Sequence, residues 1–241
     1  MLLDNKHAVI YGAAGTVGAA VARAFAREGA RVSLAGRTRT TLDEVARAIS
    51  TGSGSVVDIA QVDALDAQAV EQHVGRLAAD VGALDICFNA VGDEAILGQP
   101  LLDIGLAEFM RPITRLVIAQ FLIATAVAPH MIQRKSGVIL TMTGSGVPTA
   151  DMGGAMTAWA AVDALCGQLA RELGPHGVRV LWLRSNGVVG DEDNPGERSR
   201  SMLNRLASAD DVGKVAAFLA SDDAATMTAT AANITSGAEV G

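Results

Sequence analysis

Residues 7 to 20, His7-Ala-Val-Ile-Tyr-Gly-Ala-Ala-Gly-Thr-Val-Gly-Ala-Ala, constrain this chain more than any other stretch. A short apolar run, Ala8 to Tyr11, stops at Gly12, Gly15 and Gly18, and apolar residues then recur at Val17, Val21, Ala22 and Phe25. That change of period marks a strand turning directly into a helix. Glycine lets such a turn be tight and lets backbone approach a ligand closely, while the free N–H groups and positive end of the helix face an anion. At the head of a β-α-β unit, that anion is the pyrophosphate of a dinucleotide. Gly12, Gly15, Thr16, Val17 and Gly18 are therefore candidate cofactor-binding residues. Three glycines at this spacing also fit a plain packing turn, so the segments that follow carry the reading.

Arg31 to Ala35 reads as a second strand, closed by Gly36-Arg37. An acidic residue at this point would hold a ribose 2′-OH, whereas Arg accommodates a 2′-phosphate, so Arg37 favours NADP(H) over NAD(H). A solvated loop arginine is the plainer alternative. Helices are expected over Thr41 to Ile49 and Asp66 to Val81, the latter with Asp66 as N-cap, and strands over Val56 to Val62 and Leu84 to Phe88. Asp63-Ala64 and Asn89-Ala90 end the third and fourth strands on the edge that carries the glycine turn. A carboxylate and amide at 63–64 can meet an adenine edge, and small residues at 89–90 let a cofactor lie against backbone.

With 241 residues, half of them hydrophobic, the chain can bury one large core, and one domain over 1–241 is expected. A net charge of −7 argues against a nucleic-acid or anionic-membrane partner and for a small molecule. Met1 to Lys6 has no apolar signal core, and Leu116 to Ala128, the longest apolar stretch, is interrupted by Gln120 and short for a bilayer. The expectation is a soluble, cytoplasmic protein. Cys87 and Cys166 lack metal-ligand spacing and read as buried free thiols, and His7, His73, His130 and His176 show no ligand or triad spacing, so no metal is expected.

The succession Gly12-x-x-Gly15-x-x-Gly18, Gly36-Arg37, Asp63, Asp85-Ile-Cys-Phe-Asn-Ala-Val-Gly92, Ala170-Arg-Glu-Leu-Gly-Pro-His-Gly-Val-Arg-Val180 and Val215-Ala-Ala-Phe-Leu-Ala-Ser-Asp222 resembles the short-chain dehydrogenase/reductase family over essentially the whole chain. The resemblance implies an α/β, Rossmann-type doubly wound parallel sheet of about seven strands with helices on both faces. It implies that the glycine turn and Arg37 hold phosphates, that Asp63 meets the adenine, and that Asn89 lies beneath the cofactor. The family's usual Gly-x-x-x-Gly-x-Gly is altered here, with Thr16 at the middle glycine and Gly15 one residue early.

Asp103 to Met131 carries an apolar stripe of Leu106, Phe109, Ile113, Leu116, Val117, Phe121 and Ala124, which is expected to face the core. In the resembled family this helix pairs with its copy in a second subunit, and Ile118, Leu122 and Ile123 suit a face beyond the core. A homodimer or homotetramer through the 103–131 and 155–173 helices is the implied assembly. The Asn that usually helps a proton relay in this helix matches Leu116.

Family members carry a catalytic Ser at the end of the fifth strand, here Gly137 to Thr143, then a Tyr and, four residues on, a Lys. Counted without gaps, the latter two positions are Ala155 and Trp159, and the chain's only tyrosine, Tyr11, lies in the first strand. Hydride arriving at a carbonyl carbon leaves charge on oxygen, so a hydroxyl donor is still needed. Ser145 and Thr143 remain to hydrogen-bond a carbonyl, and Asp151 can act as an acid if burial raises its pKa. The plain alternatives are a turn hydroxyl and a solvated loop carboxylate. Arg184-Ser-Asn-Gly stands where the family has Pro-Gly, and residues 188–204, polar from Asp191 to Ser201, take the place of a substrate lid. A sixth strand over Val178 to Leu183, a helix over Asp210 to Ala220 and a last strand over Ala231 to Thr235 complete the expectation. Two classes of function follow. One is an NADP(H)-dependent oxidoreductase acting on a small carbonyl or activated alkene; the other is an inert relative that binds nucleotide and serves as a structural or regulatory subunit.

Overall fold

The change of period at Tyr11 is a change of structure. The computed structural model describes residues 1–53, 57–189 and 201–240. In chain order it contains β1 (His7–Tyr11), α1 (Thr16–Arg27), β2 (Arg31–Gly36), α2 (Arg39–Ser53), β3 (Val57–Gln61), α3 (Ala67–Val81), β4 (Ile86–Asn89), α4 (Leu106–Arg134), β5 (Gly137–Gly144), α5 (Ala155–Leu173), β6 (Val178–Ser185), β7 (Val188–Val189), β8 (Ala207–Ser208), α6 (Ala209–Ala220) and β9 (Thr230–Asn233). Seven strands form one sheet in the order β3-β2-β1-β4-β5-β6-β9, with every pairing parallel. The order reverses between β1 and β4, which opens a crevice at their carboxyl ends.

Helices cover both faces, so β1 and β4 bury every residue and are mostly apolar. Val9 and Tyr11 face a core shared with Val70, Ile123 and Val162 from α3, α4 and α5. Ala8 and Ile10 face the opposite one, with Phe25, Leu42 and Val212 from α1, α2 and α6. Gly213 lets α6 approach α1, since a Cβ there would lie 2.9 Å from the Ala20 carbonyl oxygen. Asp66 caps α3 as expected, its carboxylate accepting from the Ala69 amide at 3.0 Å, a bond typically worth about 1 kcal/mol. Cys87 and Cys166 are buried free thiols.

Several boundaries differ from the sequence reading. The second helix runs over Arg39–Ser53 rather than Thr41 to Ile49, the fourth strand is Ile86–Asn89, and the long helix begins at Leu106 after a short 3-10 turn at Leu101–Asp103. The stripe on α4 is met in part: Leu116 and Ala124 are buried and Ile113 and Val117 pack against the core. Ile123, assigned above to an outer face, is fully buried with Ala119, Ala124 and Val127, whereas Phe121 is half exposed and Leu106 is 77% exposed. Apolar residues surround much of this helix, so periodicity alone did not select the buried face. α4 has 29 residues and is long and apolar enough to cross a membrane by composition, unlike the shorter stretch read from sequence. Here it packs on α3 and α5 as a layer of the fold. Most of the expected lid, residues 190–200, lies outside the described residues; its flanks are tied where β7 pairs with β8.

Candidate active site

The glycine turn closes against the crevice. Gly12 has φ +70°, which favours glycine, and a Cβ on it would sit 2.5 Å from the Ala90 carbonyl oxygen. Gly18 packs on the same turn, its hypothetical Cβ 2.3 Å from the Gly12 oxygen. Gly15 is the N-cap of α1 and makes no side-chain cap, so the amides of the first turn, from Thr16 through Gly18, lack helical partners and remain available to an anion. The altered glycine spacing therefore keeps the cradle: Gly15 meets only ordinary contact, and Thr16 opens the helix. These features fit a dinucleotide pyrophosphate.

Around the turn, the other expected residues occupy the strand ends. Asn89 is buried, donating from Nδ2 to Gln120 Oε1 at 2.9 Å while its Oδ1 accepts from the Val91 amide, so its amide props the loop over the crevice. Ala90 lines the cavity. Asp63 accepts from the Leu65 amide at 3.0 Å in an exposed turn, Ala64 is buried beside it, and Arg37 is exposed and paired with Glu94. Tyr11 is fully buried and shares a 2.9 Å hydrogen bond with His73, with its ring edge-on to the imidazole. Burial pushes the phenol well above its usual pKa and lowers His73 to about 4. Tyr11 thus belongs to the core rather than to proton transfer.

A cavity of about 790 Å³ extends from Val17 and the Ala90–Asp93 loop to the ends of β5 and β6, within the usual range for small-molecule sites. Its wall is largely apolar, with Leu97, Leu116, Met142, Met152, Met156 and Trp159. Thr143 and Ser145 also line it. Thr143 Oγ1 is buried and, like Asn186 Oδ1 across the cavity, has no partner among the described residues. Ser145 Oγ accepts from the Val147 amide at 3.2 Å, which leaves its hydroxyl hydrogen free to donate. Asp151 does not join them. Its side chain is exposed outside the cavity lining, with the backbone in the left-handed region at φ 61°, so it is not placed to reach a substrate in the cavity.

Ala155 opens α5 and is fully buried, one turn before Trp159, whose six-membered ring lies against Gly144. A Cβ at 144 would fall 2.3 Å from indole Cε3 and Cζ3, so the missing side chain on β5 and the indole on α5 are two halves of one contact. At the far wall, Arg184 pairs with Asp163 and Glu239, and Glu239 accepts from the Gly146 amide at 3.0 Å. This pins the carboxyl-terminal segment, and Ala238 joins the lining. The methionines, Trp159 and Glu239 were not singled out as a set in the sequence. Trp159 alone carried a signal, as the residue that an ungapped count sets against the expected Lys. Among the described residues no cluster suits a metal ion.

The parallel sheet, the crevice at its switch point and the uncapped glycine turn define a nucleotide-binding α/β protein. A family profile described as enoyl-(acyl carrier protein) reductase matches residues 12–239. The chain belongs to the short-chain dehydrogenase/reductase family and is an oxidoreductase of that type, a family that uses a nicotinamide cofactor. It is 31% identical over 233 residues to a meso-2,3-butanediol dehydrogenase of Serratia marcescens, covering 93% of this chain and 90% of the relative. It is 29% identical to a D-threitol dehydrogenase of Mycolicibacterium smegmatis, covering 92% and 88%. A solved short-chain type dehydrogenase/reductase from Mycobacterium marinum superposes with TM-score 0.88 at 28% identity, covering 99% and 97%. An NAD+-bound xylitol dehydrogenase shares the fold, with TM-score 0.91 at 22% identity and 98% and 100% covered.

Proposed function

We propose that this chain is a cytoplasmic, NADP(H)-dependent oxidoreductase for a small carbonyl or activated alkene, and a divergent member of its family without the usual Tyr and Lys. The observation that carries the reading is the contact of Trp159 with Gly144 beside Thr143 and Ser145, in a cavity continuous with the glycine turn. The nicotinamide, when bound, supplies or accepts the hydride. The amides of Thr16 to Gly18 bind the pyrophosphate, the Gly12–Ala90 approach lets the dinucleotide lie on backbone, and Arg37 takes the 2′-phosphate. Asp63 and Ala64 border the adenine.

In the cavity, Ser145 and Thr143 donate hydrogen bonds to the substrate oxygen as charge develops there. Both line the cavity where β5 ends. Trp159 and the methionines exclude water and favour an apolar substrate. Without a dedicated acid, a factor of about 10²–10⁴ in rate is forgone, while positioning of donor and acceptor can still supply about 7–11 kcal/mol. An enone, whose conjugation spreads the charge, asks less of the acid than a simple ketone does.

The test is NADPH fluorescence titration followed by turnover on a panel of ketones and enones, with Ser145→Ala beside the wild type. Binding with turnover that falls in the variant is expected. Tight binding without turnover on any acceptor would overturn the enzyme reading, and unchanged turnover in the variant would remove Ser145 from it.

A further inference from the structure

Beyond Asp93 the loop after β4 leaves the cavity, and the next residue, Glu94, reaches Arg37 at the end of β2. Glu94 Oε1 accepts from Arg37 Nη2 at 3.2 Å and lies 3.0 Å from Arg115 Nη2. Arg115 projects from α4 with a largely buried side chain, and its Nε donates to the Gly92 carbonyl at 2.8 Å, holding the loop on both sides of Asp93. Glu94 has φ 54°, in the left-handed region that a non-glycine residue occupies at a cost. Arg37 is steadied by Gln61, whose Nε2 donates to the Arg37 carbonyl at 2.9 Å. Segments from both sides of the switch point thus converge on one carboxylate.

We propose that Glu94 is a built-in stand-in for the cofactor 2′-phosphate: it occupies Arg37 in the free chain, is displaced when NADP(H) binds, and narrows the preference for NADP(H) over NAD(H). The inference rests on the assignment of Arg37 to the 2′-phosphate. Carboxylate and phosphate compete for the same planar fork of donors. Two anions on one guanidinium repel, so Glu94 leaves or weakens the incoming phosphate. Its pairing with Arg37 is about half exposed on both sides, which makes displacement cheap, and Arg115 keeps the loop in reach when Glu94 lets go. NAD(H) brings no charge to Arg37 and is indifferent to what holds it.

Glu94→Gln keeps the size and removes the charge. NADPH and NADH are titrated by fluorescence against wild type, Glu94→Gln and Glu94→Gln/Arg37→Gln, at low and high salt. The expected result is an NADPH Kd about three- to tenfold lower in Glu94→Gln, with NADH nearly unmoved. The double variant loses that gain, and high salt shrinks it. An unchanged NADPH Kd, or equal shifts for both dinucleotides, overturns the role of Glu94 while leaving the cofactor site standing. If wild type and every variant bind neither dinucleotide, the cofactor reading falls and takes this inference with it.

Discussion

Replacing Gly144 with alanine isolates the contact on which the cavity is built. Gly144 does not lie in the left-handed region, so the backbone accepts a side chain, and reduced freedom of the unfolded chain alone would stabilise by about 0.4–1 kcal/mol. The new methyl, however, meets indole Cε3 and Cζ3 at 2.3 Å and Cδ2 at 2.5 Å, and the ring is held by helix α5 rather than free to swing. Overpacking of that kind costs about 1–3 kcal/mol, which outweighs the entropy gain. Trp159→Ala costs about 2–3 kcal/mol, below the range for a fully buried Trp because the indole is only partly buried. Once the ring is gone, Gly144→Ala has nothing to strike and becomes neutral or mildly stabilising. The cycle therefore carries a coupling of about 2 kcal/mol, well above the ~0.5 kcal/mol expected of independent sites. The measurement is urea unfolding of the four proteins, followed by far-UV circular dichroism at one protein concentration so that assembly does not enter the comparison. Additivity within ~0.5 kcal/mol would refute the idea that the indole occupies the side-chain space of residue 144.

Three further outcomes are expected. Gly18→Ala forces a Cβ to within 2.3 Å of the Gly12 oxygen, so the turn opens. Its NADPH affinity should fall more than about tenfold and its Tm should drop; retained affinity contradicts the cradle. His73, lowered by burial to about 4 from 6.5, takes up protons more readily unfolded than folded between those values, so stability is lost as pH falls through that window. The loss is about 2 kcal/mol between pH 7 and pH 5 from this group, and His73→Gln should flatten the acid limb of denaturation midpoints; an unaltered limb refutes it. Phe121, half exposed on α4 beside Ile118, should support self-association. Phe121→Asp is expected to shift light-scattering mass to a smaller species, and an unchanged mass excludes that face.

Signals confined to a few neighbouring residues are legible in the sequence. Ala8 to Tyr11 running into three glycines names a strand and a helix because both signals sit within twenty residues, and the same holds for Asp66 as a cap on α3. Within α4, Leu116 and Ala124 are inside as the spacing predicts, but Phe121 and Ile123 are equally apolar, and only the neighbouring helices and sheet decide that Ile123 is inside. Asp151 sits six residues after Ser145 in sequence, yet its backbone turn carries the carboxylate out of the cavity.

The order of strands and helices, the glycine-rich turn and the placing of the chain's only tyrosine at Tyr11 were all present in the amino-acid string. They depend on backbone preference and short-range spacing, which are local quantities. Tertiary structure alone decided that Trp159 fills the space over Gly144, that Glu94 holds Arg37 and Arg115 together, and that Glu239 pins the chain end beside Gly146. Those contacts join residues 15 to 93 positions apart, and their partners are selected by packing and charge in three dimensions, for which a one-dimensional pattern carries no period.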